Sequence, residues 1–111
     1  MDSQLKKGII EFCVLAFLQR GDSYGYEIVK NISPLLPISE STLYPILKRL
    51  EANKKVSTYS KEHNGRLRKY YQITAHGQNS IHEFLTIDWP HLEKIHHYIK
   101  GDNLHGSHNI Y

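Results

Sequence analysis

The feature that most constrains the fold is an Asn64-Gly65 pair between two short segments rich in β-forming residues. Asn-Gly is a preferred sequence for a two-residue turn between antiparallel strands, because both residues tolerate a positive φ angle. Residues 56–60 precede the pair and residues 68–74 follow it, and apolar and polar residues alternate in the second segment. The sequence therefore predicts a β-hairpin with one side of its second strand turned towards a core.

The segment in front of the hairpin has the spacing of an amphipathic helix. Its apolar residues recur at intervals of three and four and so fall on one side of a helix: Leu43, Ile46, Leu47 and Leu50. Ser39 suits the N-cap position, whereas Pro45 inside the pattern removes one backbone hydrogen bond. We predict a helix that begins near Ser39, bends at Pro45 and ends by Asn53.

Two further helices are expected in front of this one. The first covers residues 4–20 and is apolar on two sides, so each side needs a surface that covers it. Gly21 ends this helix. Asp22 or Ser23 is then positioned to cap a second helix over residues 24–32.

A last helix is predicted over residues 75–100, capped by Thr74 and disturbed at Pro90. The complete order is helix, helix, helix, hairpin, helix. This is a mainly α fold with a small β-hairpin, and it matches the winged helix-turn-helix arrangement, in which the hairpin is the wing. We expect that domain over residues 1–74, a C-terminal dimerisation helix after it, and a disordered tail over residues 101–111.

Positive charge is concentrated in the third helix and the wing. Residues 48–69 contain eight basic and two acidic residues, whereas the rest of the chain contains six basic and nine acidic residues. Such asymmetry is typical of a surface that faces phosphate groups. On charge alone, an ordinary solvated surface explains the pattern equally well.

The position of these cations on the predicted fold favours DNA as the partner. The second helix of a helix-turn-helix pair enters the major groove, and a thin hairpin that carries guanidinium groups fits the minor groove. Hydroxyl and basic side chains on the outward side of the third helix can bind phosphates or base edges. From the residues alone, we expect contacts from Ser41, Thr42, Tyr44, Lys48, Arg49, Lys61, His63, Asn64, Arg66 and Arg68.

Three blocks of the sequence resemble the PadR family of transcriptional regulators: YGYEI at residues 24–28, STLYPILKRLE at 41–51 and GRLRKYYQITAHG at 65–77. The resemblance spans roughly residues 5–100. It implies a homodimer that binds a palindromic operator in double-stranded DNA and represses transcription. The DNA contacts that it implies are Tyr24, Ser41, Thr42, Tyr44, Lys48, Arg66, Arg68 and Lys69. The chain departs from the family pattern at Lys54, where glycine is usual, and this adds a cation that can bind phosphate.

The last helix contains Trp89, the only tryptophan of the chain. A terminal helix has little of its own domain left to cover its apolar side, so we expect a partner subunit to cover it. The same holds for the second apolar side of the first helix. The predicted interface joins Leu5, Ile9, Phe12 and Ala16 to Leu85, Trp89, Leu92 and His96.

The short chain after the wing is most similar to the compact, LmrR-type multidrug-sensing branch of the family. That resemblance implies a site for planar aromatic or cationic small molecules at the dimer interface, with Trp89 as the stacking surface. Phe12 and Ala16 would line this site, and Glu93 would attract a cationic ligand. Simple dimer packing explains Trp89 equally well.

The sequence favours no enzyme, metal site or cofactor. It has no phosphate-binding glycine loop or nucleophile motif, and Cys13 lies alone in an apolar run that is too short to span a membrane. The neighbouring His96 and His97 point to different sides of a helix, which does not suit a metal. We expect a cytoplasmic protein. Two alternatives stay open: a winged-helix regulator without a ligand, and a winged helix that binds another protein.

Overall fold

Helices and strands follow one another in the predicted order in the computed structural model, which describes residues 1–102 of the 111-residue chain. The elements are α1 (Ser3–Leu18), α2 (Gly25–Ile32), α3 (Glu40–Ala52), β1 (Val56–His63), β2 (Arg66–Ile73), α4 (Ala75–Glu83), a π-helical turn (Phe84–Asp88) and α5 (Trp89–Lys100). The mainly α winged-helix fold and its C-terminal helix are thereby confirmed. The prediction of a disordered tail lies outside the described residues from residue 103 onwards.

The chain divides into two compact units, of which the first is Met1–Ile81 and the second begins at His82. The first unit has one hydrophobic core between α1, α2, α3, its part of α4 and the base of the wing. The predicted apolar side of α3 lies at its centre, since Leu43, Leu47 and Leu50 are completely buried. The other core residues are Ile10, Val14, Leu15, Leu18, Ile28, Ile32, Ile46, Val56, Tyr71 and Ile81.

The apolar residues of α1 fall on two sides, as expected. One side enters the core through Ile10, Val14 and Leu18. On the other side Leu5 is 60% exposed and Ala16 is also exposed, whereas Ile9 and Phe12 are half-buried. This second side is a continuous apolar surface along the helix.

The start of α2 differs from the prediction. Tyr24 occupies the N-cap position and makes no side-chain capping bond within the described chain, so the proposal of a cap from Asp22 or Ser23 is wrong. The backbone of Ser23 instead exchanges two hydrogen bonds with Tyr71 of β2, at 3.2 and 2.7 Å. Its buried hydroxyl donates to Glu27. Pairing with the sheet has therefore taken the place of helix capping.

The wing is longer than its β-forming residues suggested. Asn64 and Gly65 have φ angles of 52° and 78°, as a two-residue hairpin turn requires, and the strands pair directly up to this turn. His63 is opposite Arg66, and the register continues to Val56 opposite Ile73. The tight turn explains the extra length, because polar residues on both sides of it still have backbone partners.

A hydrogen-bonded corner joins α3, the wing and α4. The Thr74 hydroxyl donates to the Lys54 carbonyl at 2.7 Å and accepts from the Gly77 N–H at 3.0 Å, which confirms the predicted cap. Lys54 has a φ of 61°, in the left-handed region that favours glycine. The glycine that the resemblance implies at this position would adopt this angle without strain. Glu40–Ala52 with Ser39 as N-cap likewise agrees with the predicted start and end of α3.

The disturbance of the last helix precedes Pro90 rather than occurring at it. The Trp89 N–H donates to the Phe84 carbonyl five residues earlier, so the helix is one residue wider over this turn. A wider turn relieves the clash that a proline ring makes with the preceding turn. None of the helices within residues 1–102 is long and apolar enough to cross a membrane.

The corner predicts a strong effect of a single methyl group at Gly77. A Cβ at this position would lie 2.3 Å from the Lys55 carbonyl oxygen and 2.8 Å from Ile73 Cγ1. Gly77→Ala should therefore lower the free energy of unfolding by about 1–3 kcal/mol, as overpacking does. Urea denaturation measures this change.

Gly8 of α1 is the matched control, since a Cβ there would meet nothing within 4 Å. Gly8→Ala should raise the free energy of unfolding by about 0.5–1 kcal/mol, because alanine favours the helix. An unchanged urea midpoint for Gly77→Ala would contradict the described corner.

Candidate nucleic-acid interface

The exposed residues of α3 lie on different sides of the helix. Ser41 and Lys48 are opposite the buried side and are exposed, as predicted. Thr42 is half-buried and lies towards α1 together with Arg49, which forms an ion pair with Glu11 of that helix. The charge of Arg49 is therefore compensated within the protein, although the sequence predicted that this residue contacts DNA. Lys48 has no ion pair among the described residues.

Hydroxyl groups are concentrated at the first turn of α3. The Ser39 Oγ accepts from the Thr42 N–H at 3.3 Å, and it lies 2.9 Å from Ser41 Oγ and 3.2 Å from Thr42 Oγ1. Ser41 and Thr42 border a shallow groove of about 300 Å³ between α1 and α3. Lys7 and Arg49 also line it. The arrangement offers hydroxyl groups beside two basic side chains.

Tyr44 lies on the side of α3 that is turned to α2. Its ring packs so closely on Gly25 that a Cβ there would be 2.6 Å from the Tyr44 hydroxyl oxygen. Burial and the nearby Glu40 carboxylate raise the pKa of Tyr44, so its hydroxyl keeps its proton at neutral pH and can donate a hydrogen bond. Glycine in the YGYEI block thus allows the close approach of a half-exposed tyrosine.

A cleft of about 450 Å³ brings the wing together with the first turns of α2 and α3. It unites five of the predicted contact residues, which come from three separate elements. The cleft is lined by Tyr24, Gly25, Tyr26, Glu40, Tyr44, Arg66, Leu67, Arg68, Lys69 and Tyr71. Lys54 and Lys61 do not line it: Lys54 is exposed in the turn after α3, and Lys61 is exposed on β1.

The two arginines of the wing have different surroundings. Arg66 is exposed beside the hairpin turn. Arg68 lies further from the turn and is half-buried, with its Cζ 4.3 Å from the centre of the Tyr24 ring. Its Nη1 atom is buried without a hydrogen-bond partner within the described residues. No local sequence pattern indicates this contact, because it joins residues 44 positions apart.

Lys69 lies on the opposite side of β2 from Arg68. Its Nζ is 3.7 Å from a Glu51 carboxylate oxygen and 5.5 Å from the centre of the Tyr71 ring. Glu51 also accepts a hydrogen bond of 3.1 Å from the Thr58 hydroxyl. The charge of Lys69 is therefore partly compensated by the end of α3, and this residue also fixes the wing to that helix.

The second unit carries the other predicted residues on an exposed helix. Trp89 is 50% exposed, and its ring centre lies 6.2 Å from that of Phe84. Glu93 and His96 are exposed, and so are Leu85 and Leu92. Within the described chain, no residue of α5 is buried. Phe12 and Ala16, the remaining residues of the predicted ligand site, belong to the first unit.

Comparison with known proteins identifies the family. The profile of the "Transcriptional regulator PadR-like family" matches residues 14–83. The solved structure of smu.1704 from Streptococcus mutans UA159 is 42% identical, covers 90% of this chain and 92% of that one, and has a TM-score of 0.72. A transcriptional regulator from Clostridium thermocellum is 35% identical over 86% of this chain and 93% of that one, with a TM-score of 0.74.

PadR of Bacillus subtilis, solved in complex with operator DNA, shares the fold at 22% identity. The match covers 70% of this chain and 47% of that one, with a TM-score of 0.65. The resemblance of the three sequence blocks is confirmed by the family profile. The chain belongs to the PadR-like family of transcriptional regulators.

Proposed function

We propose that this protein is a DNA-binding transcriptional regulator in which α3 enters the major groove and the wing lies along the minor groove. The observation that carries the proposal is the cleft that gathers Tyr24, Tyr44, Arg66, Arg68 and Lys69 from three elements. Hydrogen-bond donors and cations at one place suit the phosphate backbone between the two grooves. The related Bacillus subtilis PadR, which binds operator DNA, supports this reading through its shared fold.

The residues of α3 have distinct roles in this proposal. Ser41 and Lys48 face away from the core, where a helix in the major groove meets the bases and phosphates. Thr42 and Tyr44, on the two flanks of the same turn, donate hydrogen bonds to the backbone phosphates beside the groove.

Lys54 and Lys61 supply two cations outside the cleft, one in the turn after α3 and one on β1. Both are exposed, and neither forms an ion pair among the described residues. They therefore favour binding to any duplex, since phosphate contacts carry no sequence information.

The acidic residues of the first unit strengthen the argument, because most of them are bound within the protein. Two of its seven carboxylates, Glu40 and Glu62, have no hydrogen bond or ion pair within residues 1–102. The other five bind groups of the protein itself: Asp2 the first turn of α1, Glu11 Arg49, Asp22 Tyr59, Glu27 Ser23, and Glu51 Thr58 and Lys69. Most of the basic groups near the cleft are thus left for an external anion, whereas Glu40 lines the cleft and repels an anion on its own side.

The positive charge of the wing should contribute strongly to the affinity for DNA. Reversing it with Arg66→Glu and Arg68→Glu should weaken binding to every duplex sequence by at least about tenfold, since two phosphate contacts are lost and repulsion is added. Fluorescence anisotropy with labelled duplexes measures the affinity. The slope of affinity against salt concentration should become shallower by about two in a logarithmic plot.

The charge-matched control reverses Lys30 of α2 and Lys94 of α5, which are both exposed and lie outside the cleft. This control should bind DNA nearly as well as the unmodified protein. If the wing variant binds as tightly as the control, the assignment of the wing to DNA is wrong. A tight complex that salt does not weaken would favour the protein-binding alternative.

A second protomer completes the regulator in our proposal. The exposed apolar side of α1 and the apolar side of α5 both need a cover, and α5 has no buried residue within the described chain to stabilise it by packing. Leu5, Ile9, Leu85, Leu92 and His96 would lie in this interface. Two equal copies suit a palindromic operator, since half-site symmetry follows dimer symmetry.

The protein should therefore be a dimer in light scattering at micromolar concentration. A monomer at that concentration would contradict the interface.

We further propose that the regulator is a cytoplasmic repressor and that a planar aromatic or cationic compound at the dimer interface releases it from DNA. The support is the half-exposed Trp89 ring, with the Glu93 carboxylate one helical turn away. An exposed aromatic ring attracts flat and cationic molecules by stacking and cation–π interaction. Phe12 and Ala16 would line the same site, as in the LmrR-type branch.

The ligand proposal is tested by the fluorescence of Trp89, the only tryptophan of the chain. Planar aromatic cations should quench this emission in a saturable manner, and Glu93→Gln should weaken their binding while uncharged planar compounds bind as before. The exposed His91→Gln change on the same helix is the control. Emission that stays constant across a panel of such compounds would favour a regulator without a ligand.

A further inference from the structure

Three tyrosine rings form a continuous cluster on the outer side of the wing. Tyr59 and Tyr70 are opposite each other in the register of β1 and β2, and their rings are stacked at 5.6 Å with an angle of 10°. The Tyr24 ring meets Tyr70 edge-on at 5.5 Å. Both arrangements are favourable geometries for aromatic pairs. We call Tyr24, Tyr59 and Tyr70 the tyrosine cluster.

Both ends of the tyrosine cluster are held by polar groups. At one end the Tyr59 hydroxyl donates a hydrogen bond of 2.7 Å to Asp22, and this bond raises the pKa of Tyr59. At the other end the Arg68 guanidinium lies over the Tyr24 ring, with Cζ at 4.3 Å from the ring centre. The cluster therefore links the turn before α2 to a cation of the wing through direct contacts.

The surroundings of the Arg68 side chain indicate the role of the tyrosine cluster. Its side chain is half-buried and forms no ion pair with the described carboxylates, and its Nη1 has no hydrogen-bond partner there. A guanidinium group keeps its charge at any physiological pH, and burying an unpaired charge is costly. The Tyr24 ring attracts the cation but does not neutralise it. The ring contact therefore orients the group, and its N–H groups other than the buried Nη1 are left to bind an anion.

We propose that Tyr59 and Tyr70 are positioning residues that hold Arg68, through Tyr24, in the orientation that binds a DNA phosphate. This inference rests on the proposed DNA-binding function. A free arginine loses rotamer freedom when it binds a phosphate, whereas an arginine that is already ordered loses less. Neither tyrosine needs to contact DNA, since the contribution comes from ordering Arg68 before the duplex arrives.

Arg66 provides an internal comparison. It lies on the same side of β2, two residues nearer the tip, but it is exposed and makes no aromatic contact within the described chain. Arg66 should therefore contribute to DNA binding independently of the tyrosine cluster. Of the two arginines, Arg68 alone should depend on the tyrosines. Lys61 Nζ also lies 5.8 Å from the centre of the Tyr70 ring, so Lys61→Ala serves as a third background, in which Tyr70→Val should have its full effect.

A double-mutant cycle on the full-length protein tests the inference. Tyr70→Val keeps a β-forming apolar residue but removes the central ring of the cluster. It should weaken binding to a duplex about threefold to tenfold, which corresponds to releasing one ordered side chain. In the presence of Arg68→Ala, the same change should have almost no further effect. In the presence of Arg66→Ala it should have its full effect.

Two additional variants separate positioning from general damage to the wing. Tyr59→Phe removes only the hydrogen bond to Asp22, and should give a smaller loss that also disappears with Arg68→Ala. Gln72→Val changes an exposed residue on the same side of β2 outside the cluster, and should leave affinity unchanged. Thermal unfolding of every variant shows whether the fold persists at the temperature of the binding measurement.

The outcomes distinguish this inference from the function on which it rests. An equal loss from Tyr70→Val in both arginine backgrounds would assign the cluster a merely structural role and overturn the inference. So would the absence of any loss from Arg68→Ala or from Tyr70→Val alone. Undiminished DNA binding after reversal of both wing charges would instead overturn the proposed function.

Discussion

The two backbone hydrogen bonds between Ser23 and Tyr71 determine where the wing lies. A two-stranded hairpin alone is only marginally stable in water and can take many orientations. These bonds add the turn before α2 as a short third partner of the sheet, and the buried Tyr71 ring fixes the same strand in the core. The cleft, the packing of Arg68 on Tyr24 and the approach of the wing to α3 all depend on this attachment.

Local signals were enough to predict most elements. The Asn64-Gly65 turn gave the hairpin, and the spacing of Leu43, Leu47 and Leu50 gave α3 despite the proline within it. The cap by Thr74 was also correct, because capping depends on residues next to each other in the chain. The wrong cap of α2 shows the limit of this reasoning. Ser23 has a side chain that suits an N-cap, but its backbone forms hydrogen bonds with β2, which is distant in the sequence.

The sequence predicted which segments carry the cations of the DNA interface. It did not predict the side-chain contacts that these cations make. Composition located the cations in α3 and the wing, yet it did not show that Arg49 is paired with Glu11 or that Arg68 lies on Tyr24. The pairing of Tyr59 with Tyr70 follows from the register that a two-residue turn imposes. The third ring of the cluster joins from another element, and no local pattern indicates such a contact.

The most direct measurement of the central claim is a hydroxyl-radical footprint on duplexes that the protein selects from a random pool. Two copies that each present α3 and a cationic wing should protect two symmetric tracts whose centres are about one helical turn, or a multiple of it, apart. Protection should extend into the minor groove flanking each tract, where the wing would lie. A single asymmetric tract, or protection that does not exceed that on unselected DNA, would contradict the account.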